Sequence, residues 1–291
     1  MSHLRVSPRI LGQMLLDTFC ERCFFHLVHM DFKLPFDRPM PGIMFNLDNF
    51  EKAVVRAHIA EHNELPNWLE SLGCEATVEF PAKMTLELPQ YDATLVGMPD
   101  EVFRKRNGKL CLVDYKSAMC KGDDDPFMPI YKTQLLGYAR LLESNKIGTV
   151  ESAYLIYFEN QLKAHSEEPL SLLTKTGFNA PFGVKIHEVE LDHSALDPLL
   201  KEVRRFADMT LPPEGREKCK DCARLQQLLD AEVLRRNMEE EARARDNYAR
   251  FVSRQLQQDR TRARQAWQEQ DDRSLGSVTE DQDTALSLLD M

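Results

Sequence analysis

GMPDEVFRKRNGKLCLVDYKSA, residues 97–118, decides how this chain is read. Two β-rich runs, EVFRK and KLCLVDYK, flank Asn107-Gly108, a pair that favours a tight hairpin. Alternation along the second run puts Leu110, Leu112, Asp114 and Lys116 on one strand face. A two-residue loop at 107–108 sets Asp100 opposite Tyr115, away from Asp114 and Lys116. A three-residue loop at 106–108, with Gly108 in the left-handed region and a bulge, has Asp100 face Lys116 and lie diagonal to Asp114. Two carboxylates and a lysine ending an apolar strand face are costly unless paired or given a task. An ion-paired strand end near solvent is the plain account. The chemical account is that Asp100 and Asp114 chelate Mg²⁺ or Mn²⁺, hard cations that take oxygen ligands, while Lys116 neutralises charge at a scissile phosphate.

Outward from the hairpin, ATVEF, MTLEL and ATLVG are further short β-rich runs broken by Pro and Gly. Helical spacing runs through residues 8–30, from about Leu47 to Asn63, through 130–144 and from about Ser194 to Met209, with a short helix at Pro66–Leu72. VESAYLIYFEN (150–160) and KIHEVELD (185–192) read as strands. Strands framed by helices in this order imply an α/β fold. After Cys222 the chain turns to Arg, Glu, Gln and Ala without Lys, the composition of a long solvated helix. The expected division is a folded domain over 1–225, a helical arm over 226–272 and a disordered tail over 273–291.

The 291 residues carry a net charge of −10, which argues against a broadly adhesive nucleic-acid binder and leaves room for a local basic cleft. No stretch approaches the apolar length of a membrane span. The opening MSHLRVSPRI lacks the apolar region of a signal peptide, so a cytoplasmic location is expected.

Cys20-Glu21-Arg22-Cys23 and Cys219-Lys220-Asp221-Cys222 are two CxxC pairs, which in a cytoplasmic setting imply a four-sulfur metal site. Zn²⁺ and an iron–sulfur cluster both suit four thiolates. A Cys-based redox protein fits poorly, because neither pair has the βαβ setting that activates such a thiol.

Pro99-Asp100 followed by Asp114-Tyr115-Lys116 resembles the pattern of the PD-(D/E)XK nucleases, and the wording around it is most similar to their RecB-like branch of exonuclease domains and CRISPR-adaptation nucleases. Gln134 and Tyr138, four residues apart and so on one helical face, match that branch's Gln-x-x-x-Tyr. The resemblance implies a restriction-endonuclease-like (αβββαβ) mixed sheet core flanked by helices, with the long helical arm appended. It implies a metal-dependent DNA nuclease acting in repair, recombination or defence. Asp100, Asp114 and the Tyr115 carbonyl would bind Mg²⁺ or Mn²⁺, Lys116 would be the catalytic cation, and Gln134 and Tyr138 would orient single-stranded or end-containing DNA. An upstream His or Glu should complete the metal site: Glu51, His58, His62 and Glu79 are the candidates and His58 is preferred. The branch also tilts Cys20, Cys23, Cys219 and Cys222 toward a [4Fe–4S] cluster, although the two-plus-two arrangement departs from its usual one-plus-three and keeps structural Zn²⁺ open. The alternative is a catalytically silent nucleic-acid-binding or assembly subunit on the same fold, recruiting a protein partner through the C-terminal arm or tail. Retention of Asp100, Asp114 and Lys116 together favours the enzyme.

Overall fold

The computed structural model describes residues 3–33, 41–166 and 168–286, without the side chains of 164, 165, 259, 263 and 265–286. The hairpin is present: β5 (Glu101–Lys105) pairs antiparallel with β6 (Leu110–Lys116), matching Glu101 to Val113 and Arg104 to Leu110. Its loop has three residues. Lys105 N–H donates to the Lys109 carbonyl at 2.9 Å, and Gly108 stands at φ +81°, a conformation that costs glycine little. Closing Lys105 on Lys109 brings Asp100, one residue before β5, into line with Asp114 rather than with Lys116. The three-residue expectation is thus corrected by one strand pair, and Asp100 and Asp114 share a face.

Alternation along β6 separates two buried clusters, as the sequence implies. Leu110 and Leu112 join one that also holds Val102, Leu155 and Tyr157; Cys111, Val113 and Tyr115 join another with Phe103, Ile156 and Phe158. The five-stranded sheet runs β2 (Cys74–Thr77), β5, β6, β7 (Val150–Asn160), β8 (Phe182–Val189), with β6 and β7 parallel and the other pairs antiparallel. Parallel β6 and β7 need a crossover, and α4 (Met128–Ser144) supplies it, burying Leu135, Leu136, Leu141 and Leu142 in the first cluster. α3 (Gly42–His62) and a 3₁₀ turn over Asn67–Leu72 cover the opposite face through Val55, Leu69 and Leu72.

A second sheet, β1 (Leu4–Val6), β4 (Ala93–Gly97), β3 (Met84–Leu88), is not foreseen from sequence. The chain leaves it after Gly97 and enters the large sheet at Glu101, so Asp100 stands where the chain changes sheets. The expected helix over 8–30 is broken. α1 (Pro8–Gly12) passes into a 3₁₀ turn, and α2 (Glu21–His29) restarts after Cys20. α5 (Leu196–Asp208) buries Leu199, Leu200, Val203 and Phe206 in the first cluster. The result is a mixed α/β fold of the restriction-endonuclease-like kind.

The chain divides into two compact units, Met1–Cys219 and Lys220–Met291. The second is α6 (Lys220–Leu286), one helix continuous across residues 226 and 273. Ion pairs one turn apart, such as Arg250 with Asp246 at 2.8 Å, line its surface. The backbone is helical to Leu286 where a disordered tail was expected, and residues 287–291 lie outside the described residues. Among the described residues no helix is long and apolar enough to cross a membrane.

Candidate active site

Asp114 is buried near the C-terminal end of β6. Its Oδ1 accepts from Gln134 Nε2 at 3.1 Å and its Oδ2 pairs with Lys116 Nζ. Burial raises its pKa, the Lys116 ammonium opposes the rise, and the neighbouring Asp100 charge adds to it. Lys116 Nζ also stands 4.5 Å over the Tyr131 ring of α4, so a carboxylate and a π-face together fix its head. Asp100 is held from two sides: Oδ2 accepts the Tyr115 N–H at 2.9 Å, and Oδ1 pairs with Lys52 Nζ at 2.9 Å.

Gln134 donates to Asp114 and also to the Tyr138 hydroxyl at 3.0 Å, so the pair from α4 reaches the carboxylates as one hydrogen-bonded unit. Burial, then the Asp114 charge, pushes the Tyr138 pKa up to about 12, keeping it a neutral phenol. Gly97 makes room for that ring. A Cβ built on it would stand 2.6 Å from Tyr138 Cε1, so the glycine two residues before Pro99 is there for close approach.

The upstream candidates named from sequence are placed differently along α3 and beyond β2. His58 lies seven residues beyond Glu51 on α3, about 10 Å along the axis, with its ring 4.5 Å from His62 and its Nε2, like Glu51 Oε2, buried without a hydrogen-bond partner among the described residues. Glu51 is the α3 residue at the strand end. It is 2 % exposed, and its Oε1 accepts from Ser117 Oγ at 2.8 Å, while among the described residues Oε2 is buried without a hydrogen-bond partner. Burial pushes the Glu51 pKa up to about 6, with Ser117 and Lys52 pulling it down and Asp48 and Asp100 pushing it further up. Glu79 is exposed beyond the end of β2 and His62 is exposed at the end of α3. Sequence reasoning missed Lys52, Ser117 and Arg56. Arg56 pairs with buried Glu101 at 2.9 Å and reaches the Asp100 carbonyl at 3.4 Å.

The cysteines form a separate centre. Within the first unit, Cys23 and Cys219 sulfurs lie 3.7 Å apart and the Arg216 N–H donates to Cys20 Sγ at 3.2 Å. The sulfurs of Cys20, Cys23 and Cys219 are within 4.8 Å of one another, a group able to hold a metal, and Cys222 follows three residues after Cys219.

A family model described as the PD-(D/E)XK nuclease superfamily matches residues 33–227. No curated protein matches the chain. Among solved structures it is similar to one described as "Crystal structure of SSO0001", at 13% identity over 73% of this chain and 80% of that one, with a TM-score of 0.37, a likeness too loose to inform the site. The family match spans two thirds of the sequence and contains Asp100, Asp114, Lys116, Gln134 and Tyr138 in the arrangement just described. The chain belongs to the PD-(D/E)XK nuclease superfamily.

Proposed function

We propose that the protein is a divalent-metal-dependent nuclease that hydrolyses phosphodiester bonds in DNA, with Asp100, Asp114 and Lys116 as its catalytic group. The observation that carries this is Glu51 Oε2. A buried carboxylate oxygen without a hydrogen-bond partner, near the Asp100 charge, is costly unless a cation completes it. Asp100, Asp114, Glu51 and the Tyr115 carbonyl would together offer an all-oxygen donor set, which suits Mg²⁺ or Mn²⁺ and not a soft metal. Such an ion, when bound, supplies Lewis-acid polarisation of a phosphate.

The chain's own residues do the rest. The Tyr115 N–H fixes Asp100, and Gln134 fixes Asp114. Lys116, held over Tyr131, offers a preorganised ammonium to the negative charge on the phosphoryl oxygens in the transition state. Tyr138 joins Gln134 in orienting the strand. Asp100, Lys52 and Lys116 keep partly exposed side chains, so this end of the sheet is open to a substrate. Incubation of labelled single- and double-stranded DNA with Mn²⁺, Mg²⁺ or EDTA tests the reading. Ends with 5′-phosphate and 3′-hydroxyl, formed only with metal, support it. Equal cutting in EDTA counts against it.

For the cysteines, the spacing supports a single ion over the [4Fe–4S] cluster favoured on sequence grounds. Four Zn–S bonds of about 2.3 Å in a tetrahedron put the sulfurs about 3.8 Å apart, close to the 3.7 Å between Cys23 and Cys219. A cluster interposes iron and sulfide between its thiolates and holds them wider. Zn²⁺ is therefore the proposed occupant, with a structural role. Metal analysis of anaerobically purified protein should find zinc without the visible absorption of a cluster. Cys20→Ser together with Cys23→Ser should lower the thermal midpoint by on the order of 10 °C, from about 3 kcal/mol of lost metal-linked stability. Stoichiometric iron and sulfide would reverse the assignment. Exposed Leu234, Met238 and Leu256 on α6 favour a protein partner on the arm.

A further inference from the structure

Asp100 is held by a cation that the chemistry above does not use. Lys52, the residue after Glu51 on α3, places Nζ 2.9 Å from Asp100 Oδ1 and 2.9 Å from Asp48 Oδ2. Asp48 is one turn earlier on the same helix, so α3 carries both the lysine and a second anchor for it. The other Asp100 oxygen is taken by the Tyr115 N–H. Both oxygens of Asp100 are thus engaged within the chain itself.

The two lysines of the site are placed differently. Lys116 rises from a central strand, is 16% exposed, and is fixed between Asp114 and the Tyr131 ring. Lys52 is 24% exposed and rests between two carboxylates at the rim. If Lys52 leaves Asp100, Asp48 still holds it, so its release does not strand a lone ammonium.

A divalent cation and an ammonium at the same carboxylate oxygen repel one another. Resting on the metal-dependent reading above, we propose that Lys52 is a positioning residue that holds Asp100 while no ion is bound, competes with the divalent ion for that carboxylate, and so sets the ion concentration at which the site fills. Asp48 is the position to which it withdraws. Arg56 shares the rim, but its guanidinium is committed to Glu101 and touches Asp100 only at the backbone carbonyl. It is a cation of similar proximity that does not contend for the carboxylate.

The test is a calorimetric titration of the full chain with Mn²⁺ alone, without nucleic acid; this hard ion leaves the thiolate site aside. Lys52→Met should bind Mn²⁺ about three- to tenfold more tightly than wild type, the scale of one lost, partly exposed ion pair. Lys52→Arg should stay near wild type, and Arg56→Met should change affinity less than Lys52→Met. A gain of affinity on removing a side chain is not what a merely structural role produces. Lys52→Gln serves if the methionine variant does not fold. Unchanged or weaker Mn²⁺ binding by a folded Lys52→Met or Lys52→Gln, with wild type binding normally, overturns the role of Lys52 and leaves the nuclease reading standing. Wild type that takes no Mn²⁺ overturns both.

Discussion

Asp114→Asn is expected to cut metal-dependent cleavage by about 10³-fold, the scale of losing one preorganised electrostatic group in a water-poor site, while leaving the fold intact. Asn keeps the shape and can keep the Gln134 contact through its own oxygen. What it loses is the charge that pairs with Lys116 and attracts a divalent ion. Because Asp114 is buried and its carboxylate is already penalised by burial, removing that charge relieves a cost as well as a contact. The thermal midpoint in EDTA should therefore move little, and Mn²⁺ should no longer raise it. A variant that cuts normally, or one that fails through misfolding, would count against Asp114 as a ligand. Initial rates and thermal melts with and without metal make the check.

Glu51→Gln should separate stability from activity. The Gln side chain retains an oxygen for the Ser117 hydroxyl, and the buried, unpartnered Oε2 gives way to a neutral amide group. Glu51 titrates near 6 when folded against an ordinary value of 4.5. The unfolded chain then releases its proton first, so stability is full below about pH 4.5 and declines as pH rises toward and past 6. The total loss is up to about 2 kcal/mol by neutral pH. In EDTA at pH 7.5 the variant should melt a few degrees above wild type, at 2–4 °C per kcal/mol for roughly this size, and the gain should vanish near pH 4.5. Cleavage should fall by about 10- to 100-fold, as for lost groups around a metal. Unchanged cleavage would remove Glu51 from the site. A lower midpoint at pH 7.5 would show that its carboxylate is satisfied in the folded chain.

Much of this was legible in the hairpin. Alternation alone assigned Leu110, Leu112, Asp114 and Lys116 to one face and Cys111 to the other, because a pleated strand has no freedom in that respect. The register was misjudged by one pair, since closing 106–108 pairs Lys105 with Lys109 and carries the count to Asp100 and Asp114. The ranking of His58 and Glu51 is a different matter. Residues 51, 55, 58 and 62 share one face of α3, so periodicity cannot say which end of that face meets the strand terminus. The packing of Val55 in one cluster with Phe103 and Tyr115, with Glu51 at Ser117, puts the Glu51 end of that face at the strand terminus. The small sheet was hidden because β1 has three residues and gains its partner, β4, some ninety residues later.

On the proposed reading these carboxylates and Lys116 act as one metal-dependent nuclease centre. The most direct measurement is Mn²⁺-dependent cleavage of labelled single- and double-stranded DNA by wild type beside Lys116→Ala, each also in EDTA. Lys116 ends a central strand with its side chain partly exposed, so the alanine variant should fold and still bind Mn²⁺. Wild type should cut with Mn²⁺ and not in EDTA, and the variant should not cut above background. Equal cutting by the two proteins, or no cutting by folded, metal-bound wild type on either substrate, would contradict it.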